Sequence, residues 1–452
     1  MNPSIFREHD IRGAADLDLD DVTVRAIGVA IGELAIDGQV VVGRDCRLTS
    51  PRLFAALTDG LRAHADVVDL GVVSTPVAYL VQQILVPAAT VMITGGHDLP
   101  ENNGFKVMIG QDTLRGGAIN DLRDRVDRIL GEPLAPAVHA LSDSGLDLEN
   151  VYVERAAAAL RLGPRRSKIV VDAGNGSGGP LAVALYTQMG FDVVPLYCNP
   201  DGSFPNHPPD PAQPENLADL IATVQSTTAE VGIALDGDAR RVVVVDATGR
   251  SLRADQLMIL LGRALLAEVP GARFIGEGKC SQVMYDTLIS AGGVVDMSKG
   301  DHAQERMKEL GAQLAGEMSG QFSFGHRWLG FDDGIYAGAR LLELISRTDR
   351  VLADLVAELP IVNDASERSV DCPADESRAV INRVAAALRN DSRVLDVSVV
   401  DGARVIFGNG WGLLQAPATE SLLVVRCEAS EASAIDEISA TIEEYVAKAR
   451  AS

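Results

Sequence analysis

Short apolar runs alternate with amphipathic segments along most of this chain, and the alternation begins afresh twice. The first series has apolar runs at Gln39–Gly43, Val67–Gly71 and Ala89–Thr94, with helical patterns at Pro51–His64 and Thr75–Leu85 between them. Strands and helices in this order predict a parallel sheet that is covered by helices. Because new series begin at Lys168–Asp172 and near Asp255, we predict an α/β protein with three related α/β domains.

The C-terminal part of the chain has a different pattern. Helical patterns at Asp375–Arg389 and Glu431–Ala449 flank four short apolar runs, at Val394–Val400, Arg404–Phe407, Trp411–Gln415 and Leu422–Cys427. Strands that are grouped between two helices favour a small α+β domain. The predicted domains are therefore residues 1–147, 148–250, 251–361 and 362–452.

Composition narrows the class of protein. The 452 residues carry a formal charge of −23, which repels nucleic-acid backbones and anionic lipids. The five cysteines are far apart and form no CxxC pair, so neither a disulfide framework nor a zinc cluster is expected. No apolar stretch approaches the roughly 20 residues of a membrane span. We expect a cytoplasmic protein that binds neither nucleic acid nor membrane, with a monomer as the default.

Polar loops follow one strand in each of the three α/β domains. They begin at Thr94, at Asp236 and at Gly316, and the first continues to Asn103-Gly104-Phe105-Lys106. Ligands of open α/β sheets bind at the carboxyl ends of the strands, so these loops are candidates for a shared site. Each loop taken alone is also compatible with an ordinary surface turn.

Motifs spread over the whole chain resemble one family, the α-D-phosphohexomutases of the bacterial phosphomannomutase/phosphoglucomutase type. They are Ile5–Gly13 (IFREHDIRG), Val42–Asp45 (VGRD), Asn103–Lys106 (NGFK), Pro200–Gly202 (PDG), Phe204–His207 (FPNH), Gly316–Gly320 (GEMSG), Gly330–Tyr336 (GFDDGIY) and Trp411–Leu413 (WGL). The resemblance implies four domains around a central cleft, which agrees with the domains counted above.

The resemblance also implies a reaction. In the family, a phosphoserine in the first loop transfers its phosphoryl group to a hexose phosphate, and the bisphosphorylated sugar then turns around and returns its other phosphate. Three aspartates of a DGDGDR loop hold Mg²⁺, a GEMSGH loop binds sugar hydroxyls, and an Arg-Ser-Asn-Thr loop in the last domain holds the phosphate that does not react.

This chain departs from the family at the residues that handle phosphate. The serine position is Gly96, which has no side chain to phosphorylate. The metal loop keeps Asp236 and Asp238 but has Arg240 in place of the third aspartate. Residues two apart in an extended loop face the same side, so we expect the Arg240 guanidinium to take the position of the ion and pair with the aspartates. The alternative is an arginine that turns out to solvent. We therefore expect no metal there and no cofactor, with Mg²⁺ only if the chain is an active mutase.

The phosphate-binding loop of the last domain has changed as well. Gln415 replaces the arginine and Pro417, which has no N–H, replaces the serine, while Thr419 remains and Glu420 adds a negative charge. Without a metal and a clamp arginine, a chain of this acidity is poorly suited to an ordinary sugar phosphate.

Six other residues match family positions around the reacting group or the sugar. The resemblance implies catalytic positions for Arg12, His97 and Lys106, and substrate-binding positions for Arg241, Glu317 and Ser319. A glutamate and a hydroxyl are natural partners of sugar hydroxyls.

Three hypotheses about function follow. The chain is an inactive or repurposed homologue that binds a sugar-like ligand or a partner protein, which is the hypothesis we favour. Alternatively, it is an active mutase that uses Asp98 or His97 as the phosphoryl carrier, since aspartyl phosphates do occur. The third hypothesis is another enzyme that acts on a sugar or cyclitol with Glu317, His97 and Lys106 as acid and base groups.

Overall fold

A computed structural model describes residues 1–36, 38–300, 302–360, 363–364, 368–416 and 422–451. The chain separates into two compact units. The first comprises residues 1–253 and 319–353, and the second comprises residues 254–318 and 354–452. Within the described residues, no helix has both the length and the apolar character needed to cross a bilayer.

The elements of the N-terminal half follow the chain in order. The strands are β1 (Ile11–Ala14), β2 (Val40–Arg44), β3 (Val67–Val72), β4 (Ala89–Ile93), β5 (Asn102–Ile109), β6 (Asp112–Thr113), β7 (Leu141–Asp143), β8 (Lys168–Asp172), β9 (Asp192–Leu196), β10 (Val231–Leu235), β11 (Val242–Asp246) and β12 (Ser251–Leu252). The helices are α1 (Asp21–Leu34), α2 (Ser50–Leu61), α3 (Thr75–Leu85), α4 (Gly117–Leu130), α5 (Leu148–Ala159), α6 (Gly179–Gln188) and α7 (Ala218–Thr227).

The C-terminal half continues the numbering. Its strands are β13 (Arg273–Glu277), β14 (Val294–Ser298), β15 (Leu314–Gly316), β16 (Phe322–Phe324), β17 (Asn363–Asp364), β18 (Arg368–Asp371), β19 (Val394–Ser398), β20 (Ala403–Phe407), β21 (Gly410–Gln415) and β22 (Leu422–Ala429). Its helices are α8 (Ala254–Glu268), α9 (Gln282–Ser290), α10 (Ala303–Leu310), α11 (Gly334–Ser346), α12 (Leu352–Ala357), α13 (Ala374–Leu388) and α14 (Ala432–Ala451).

The three α/β domains repeat one sheet pattern, which confirms the predicted fold class. Parallel strands run in the order β3-β2-β4 in the first sheet, β9-β8-β10 in the second and β14-β13-β15 in the third. In each, the first strand of the series lies in the centre. The last domain is a small α+β domain. Its antiparallel strands form one sheet in the order β17-β22-β21-β20-β19, and helices α13 and α14 pack against this sheet. The exact four-domain boundaries stay a prediction.

Two antiparallel strands in these sheets, β5 and β11, were not expected. Asn103–Lys106 belongs to strand β5, which pairs with β4 and β1, so our assignment of these residues to a loop was wrong. The apolar residues after Lys106 extend the segment into a strand, and this context overrides the turn preference of the Asn-Gly pair. Strand β11 pairs with β10, so the segment Asp236–Arg241 is the turn of a hairpin.

The close packing of α1 on α2 gives a first test of the fold. A Cβ atom at Gly60 would lie 2.0 Å from the carbonyl oxygen of Arg25. We therefore expect Gly60→Ala to lower the free energy of unfolding by about 1–3 kcal/mol, the usual cost of overpacking. Gly117→Ala in α4 is the control, because a Cβ there meets no atom within 4 Å. Equal unfolding midpoints for the two variants in denaturant would contradict this packing.

Candidate functional site

The loop after β4 is held in place by a buried arginine. Arg47, whose side chain is fully buried, donates hydrogen bonds to the carbonyl oxygens of Gly96 (2.9 Å), Asp98 (2.6 Å), Leu99 (2.5 Å) and Asn102 (2.9 Å). Its Nε donates to Asp45 at 3.2 Å. A guanidinium with five donors in a fixed plane is suited to such a role. The loop is therefore organised through its backbone, and its conformation does not depend on a side chain at residue 96.

Residue 96 faces two guanidinium groups across an open space. Gly96 has a φ of +57°, in the left-handed region. A Cβ atom built on it would lie 3.6 and 3.7 Å from Nη1 and Nη2 of Arg12 and 3.8 Å from Nη2 of Arg240. Apart from Gly96 itself and its two chain neighbours, no other heavy atom of the described residues is nearer. The position to which the family resemblance assigns the nucleophile is therefore lined by cations and is filled by no side chain of its own.

Asp10 links two of the predicted site residues. Its Oδ2 lies 2.8 Å from Nη2 of Arg12 and 3.3 Å from Nζ of Lys106. Burial would raise the pKa of Asp10, but the charges of Lys106 and Arg12 outweigh it and hold this pKa well below its usual range. Burial and the nearby Arg240 charge lower the pKa of Lys106. Arg12 on β1 and Lys106 on β5 thus meet at one carboxylate, as expected for neighbouring strands.

One of the two residues after Gly96 pairs with Arg12, and the other has a buried imidazole nitrogen. Oδ2 of Asp98 lies 3.1 Å from Nη1 of Arg12, and its side chain is 20% exposed. Asp98 is therefore part of a partly buried ion pair. Burial and the charge of Arg241 lower the pKa of His97, so its imidazole is neutral at pH 7. The buried Nδ1 of His97 has no hydrogen-bond partner among the described residues.

The hairpin turn between β10 and β11 brings Arg240 to the site. Its Nε lies 3.1 Å from Oδ2 of Asp238, and its side chain is only 9% exposed. The same carboxylate oxygen accepts a hydrogen bond from Oγ1 of Thr75 at 2.7 Å. Burial would raise the pKa of Asp238, but the charge of Arg240 holds it well below the usual range. The ion pair is formed with Asp238, while Oδ1 of Asp236 accepts a hydrogen bond from the backbone N–H of Arg241 (2.9 Å).

The residues of this turn do not suit Mg²⁺. Only Oδ2 of Asp236 and Oδ1 of Asp238 are buried here without a hydrogen-bond partner among the described residues. Mg²⁺ requires near-octahedral coordination by oxygen, yet residue 96 has no side-chain oxygen and residue 240 is a cation. Burial and the charge of Asp238 raise the pKa of Asp236. The turn is organised around a guanidinium.

A chain of polar contacts connects Ser319 to Arg240 within the first unit. Oγ of Ser319 donates to Oε1 of Gln321 at 3.1 Å, and Nε2 of Gln321 donates to Oδ2 of Asp332 at 2.8 Å. That oxygen lies 3.8 Å from Nη1 of Arg240. Nη1 of Arg241 lies 3.8 Å from Oδ1 of Asp210. Of the predicted residues, Arg12, Gly96, His97, Lys106, Asp236, Asp238, Arg240, Arg241 and Ser319 thus belong to one unit.

Two of the predicted residues lie in the second unit. Glu317 is 6% exposed, beside Met318, whose backbone N–H donates to Glu277 at 2.8 Å. Gln415, which the resemblance places at the position of the clamp arginine, donates to the carbonyl oxygen of Asp401 at 3.2 Å. Pro417 and Thr419, the other two clamp positions, lie outside the described residues.

Sequence reasoning did not assign roles to Asp10 and Arg47. Asp10 bridges Arg12 and Lys106, and Arg47 fixes the loop that contains Gly96. A signal was present for Arg47, since it follows the buried strand β2 closely and lies at the carboxyl end of the sheet, where functional residues collect.

Comparison with known proteins identifies the family. Phosphoglucomutase/phosphomannomutase α/β/α domain models match residues 3–128 (domain I), 150–249 (domain II) and 253–361 (domain III). A phosphomannomutase/phosphoglucomutase of Pseudomonas putida is 39% identical over 446 residues, which cover 96% of this chain and 94% of that protein. The chain belongs to the phosphomannomutase/phosphoglucomutase family.

Solved structures agree with this assignment. A phosphoglucomutase/phosphomannomutase family protein from Burkholderia thailandensis has a TM-score of 0.90 at 36% identity, with 100% of this chain and 98% of that chain covered. An Aspergillus fumigatus N-acetylphosphoglucosamine mutase, solved with GlcNAc-6P and magnesium, has a TM-score of 0.57 at 14% identity and covers 97% of this chain and 94% of its own. The second likeness shows the fold alone. The names of the relatives favour an active mutase, and nothing in these comparisons shows that activity is lost.

Proposed function

We propose that this family member binds a sugar-like ligand and does not transfer phosphate through a phosphorylated side chain at residue 96. The observation that carries the proposal is Gly96, which faces Arg12 and Arg240 with no side chain. Loss of a covalent nucleophile costs on the order of 10⁶-fold in kcat in the enzyme where this was dissected. The organised Arg47 contacts support a retained binding role for the loop, because the loop keeps a defined conformation without its nucleophile.

The environment of the metal loop supports the same proposal. Arg240 supplies the positive charge beside Asp238 that a metal would otherwise supply, so the proposed function requires no Mg²⁺. Gln415 is neutral at the position of the clamp arginine. A change at one of these positions would leave the family mechanism partly intact, whereas changes at all of them remove its carrier, its metal and its distal clamp together.

The proposed location and the exclusion of nucleic acid and membrane as partners rest on composition. The five cysteines are free thiols, which suits the reducing cytoplasm. We propose a monomer in the cytoplasm, with a sugar-like small molecule as ligand. A partner protein is the other occupant that we consider, and neither nucleic acid nor membrane suits a chain of charge −23.

An active mutase is the second candidate, because the relatives carry mutase names at 37–39% identity. It would require another phosphoryl carrier, for which Asp98 and His97 are the nearest nucleophilic side chains along the loop. Asp98 is already paired with Arg12 at 3.1 Å, so its carboxylate would have to leave this pair before it could attack phosphorus. This requirement makes it the less favoured candidate.

A coupled turnover assay separates the two candidates. Purified protein is incubated with glucose 1-phosphate or mannose 1-phosphate, a hexose bisphosphate activator and Mg²⁺. We expect kcat on the order of 10⁶-fold below that of an active family member assayed in parallel, and no phosphoryl label on the protein. Turnover comparable to that enzyme, or label that is recovered on Asp98 or His97, would refute the proposal and establish the second candidate.

A further inference from the structure

A histidine at the carboxyl end of the second sheet lies between two hydrogen-bond acceptors. Nε2 of His207 lies 3.2 and 3.3 Å from the two carboxylate oxygens of Asp172, and Nδ1 lies 2.8 Å from the carbonyl oxygen of Pro208. The side chains of His207 and Asp172 are 14% and 1% exposed. A neutral imidazole has one N–H and can serve one acceptor, whereas an imidazolium has two and serves both. The geometry around the ring therefore favours the protonated form.

We propose that His207 is a positioning residue, whose protonated imidazole holds residues 199–210 against the end of strand β8. Loss of one proton leaves one of the two acceptors without a donor and loosens this segment, here called the 199–210 segment. The proposal goes beyond the proposed function, because it makes the arrangement of the candidate site depend on pH whether or not the chain transfers phosphate.

The 199–210 segment contacts the turn between β10 and β11. The carbonyl oxygen of Pro209 accepts a hydrogen bond from the backbone N–H of Gly237 at 3.2 Å, and Oδ1 of Asp210 lies 3.8 Å from Nη1 of Arg241. Pro209 and Asp210 follow His207 directly in the chain, so a movement of the ring displaces both contacts. His207 therefore acts through Asp210 on Arg241, to which the family resemblance assigns substrate binding.

The same segment contacts the arginine that organises the loop after β4. The guanidinium carbon of Arg47 lies 5.1 Å from the centre of the Phe204 ring, and Arg47 forms a parallel β-bridge with Gly202. Arg47 in turn donates to the carbonyl oxygen of Gly96 at 2.9 Å. One segment thus contacts the turn that carries Arg240 and the residue that fixes the loop of Gly96, so its position affects both.

The charges around the ring favour the imidazolium as well. Burial would lower the pKa of His207, but the hydrogen bond to Asp172 outweighs burial and raises this pKa above its ordinary value of 6.5. The ring of Tyr197 meets that of His207 edge-on at 5.6 Å, and its hydrogen bond to Asp219 on α7 raises the pKa of Tyr197. Burial and the charge of Asp172 raise the pKa of Cys198 to about 12. The phenol and the thiol therefore stay neutral while His207 loses its proton.

Nuclear magnetic resonance of the full chain with 13C-labelled histidine measures the protonation of His207 directly. The chain has seven histidines, and the His207 signal is the one that is missing from the spectrum of His207→Gln. We expect it to titrate with a midpoint above 6.5, and at a lower pH in Asp172→Asn, which lacks the carboxylate charge. A midpoint at or below 6.5 in the wild type would overturn the proposal.

Hydrogen–deuterium exchange tests the positioning role. A group with a raised pKa stabilises its contacts fully at low pH and loses this effect as the pH rises through the folded pKa. After correction for the intrinsic exchange rate, we expect the Gly237 amide to lose about tenfold of its protection between about pH 6 and about pH 9, the effect of one charge-assisted hydrogen bond. In His207→Gln the protection should be low at both pH values. His139→Gln is the matched control and should follow the wild type, because His139 pairs with Asp66 at 3.4 Å on the surface, with a 41% exposed side chain.

Two exchange results would contradict the positioning role. Equal protection of Gly237 at the two pH values in the wild type would mean that the proton on His207 does not hold the segment. Unchanged protection in His207→Gln would mean that the side chain does not hold it at all. Circular dichroism checks that each variant is folded. Neither measurement requires a ligand or turnover, so a failure here is distinguishable from a failure of the proposed function, which the mutase assay decides.

Discussion

Restoring the serine alone, in Gly96→Ser, is expected to leave the chain without measurable mutase turnover. The new hydroxyl would lie near the Arg12 and Arg240 guanidiniums, with a cation in place of the third acidic residue of the metal loop. It would also sit at a φ of +57°, which costs a non-glycine residue roughly 1–2 kcal/mol. We expect kcat to stay on the order of 10⁶-fold below that of an active relative.

The matched double variant is Gly96→Ser with Arg240→Asp, which restores both side chains of the family pattern. We expect this variant, and not Gly96→Ser, to acquire a phosphoserine when it is incubated with hexose bisphosphate and Mg²⁺, as measured by intact mass and peptide mapping. Gly117→Ser is the control for nonspecific labelling, since a Cβ there meets no atom within 4 Å. Full turnover by Gly96→Ser alone would show that Arg240 does not obstruct the reaction.

The parallel cores of the α/β domains could be predicted because their strands are continuous apolar runs, such as Val40–Arg44. Such runs are typical of strands that are buried on both faces. Strand β5 was missed because Asn103 and Gly104 carry turn preferences, and its place in the sheet is set by pairing with β1 and β4. A local pattern cannot reveal this pairing, which joins distant segments of the chain.

The candidate site, like the fold, has features that the sequence reveals and features that only the structure reveals. The glycine at position 96 and the arginine at position 240, where the family motifs have a serine and an aspartate, are visible in the sequence once those motifs are recognised. The sequence led us to expect Arg240 to pair with both Asp236 and Asp238, and the structure records the ion pair with Asp238. The convergence of Arg12 and Arg240 on residue 96 depends on tertiary structure, because these arginines come from different sheets.

The second prediction with a large expected effect concerns the free energy of unfolding. Asp10→Asn is expected to lower the free energy of unfolding by about 3–5 kcal/mol, the usual cost of removing one partner from a buried ion pair. The substitution would leave the buried Arg12 and Lys106 without the carboxylate that contacts both. Chemical denaturation of the full chain at pH 7 measures the change. Glu33→Gln is the control, because Glu33 pairs with the exposed Arg128 and such surface pairs contribute roughly 0–1 kcal/mol.

The pH dependence of the difference in unfolding free energy between wild type and Asp10→Asn shows whether the charge of Asp10 causes this difference. The pKa of Asp10 lies well below its usual value of 3.8 in the folded chain, because the charges of Lys106 and Arg12 outweigh the effect of burial. A carboxyl group with a lowered pKa contributes stability that is complete above the unfolded pKa and is lost as the pH falls toward the folded value. The gap between wild type and Asp10→Asn should therefore be constant from pH 7 to 5 and shrink below pH 4. A gap that does not change in acid would mean that Asp10 acts through its shape and hydrogen bonds, not through its charge.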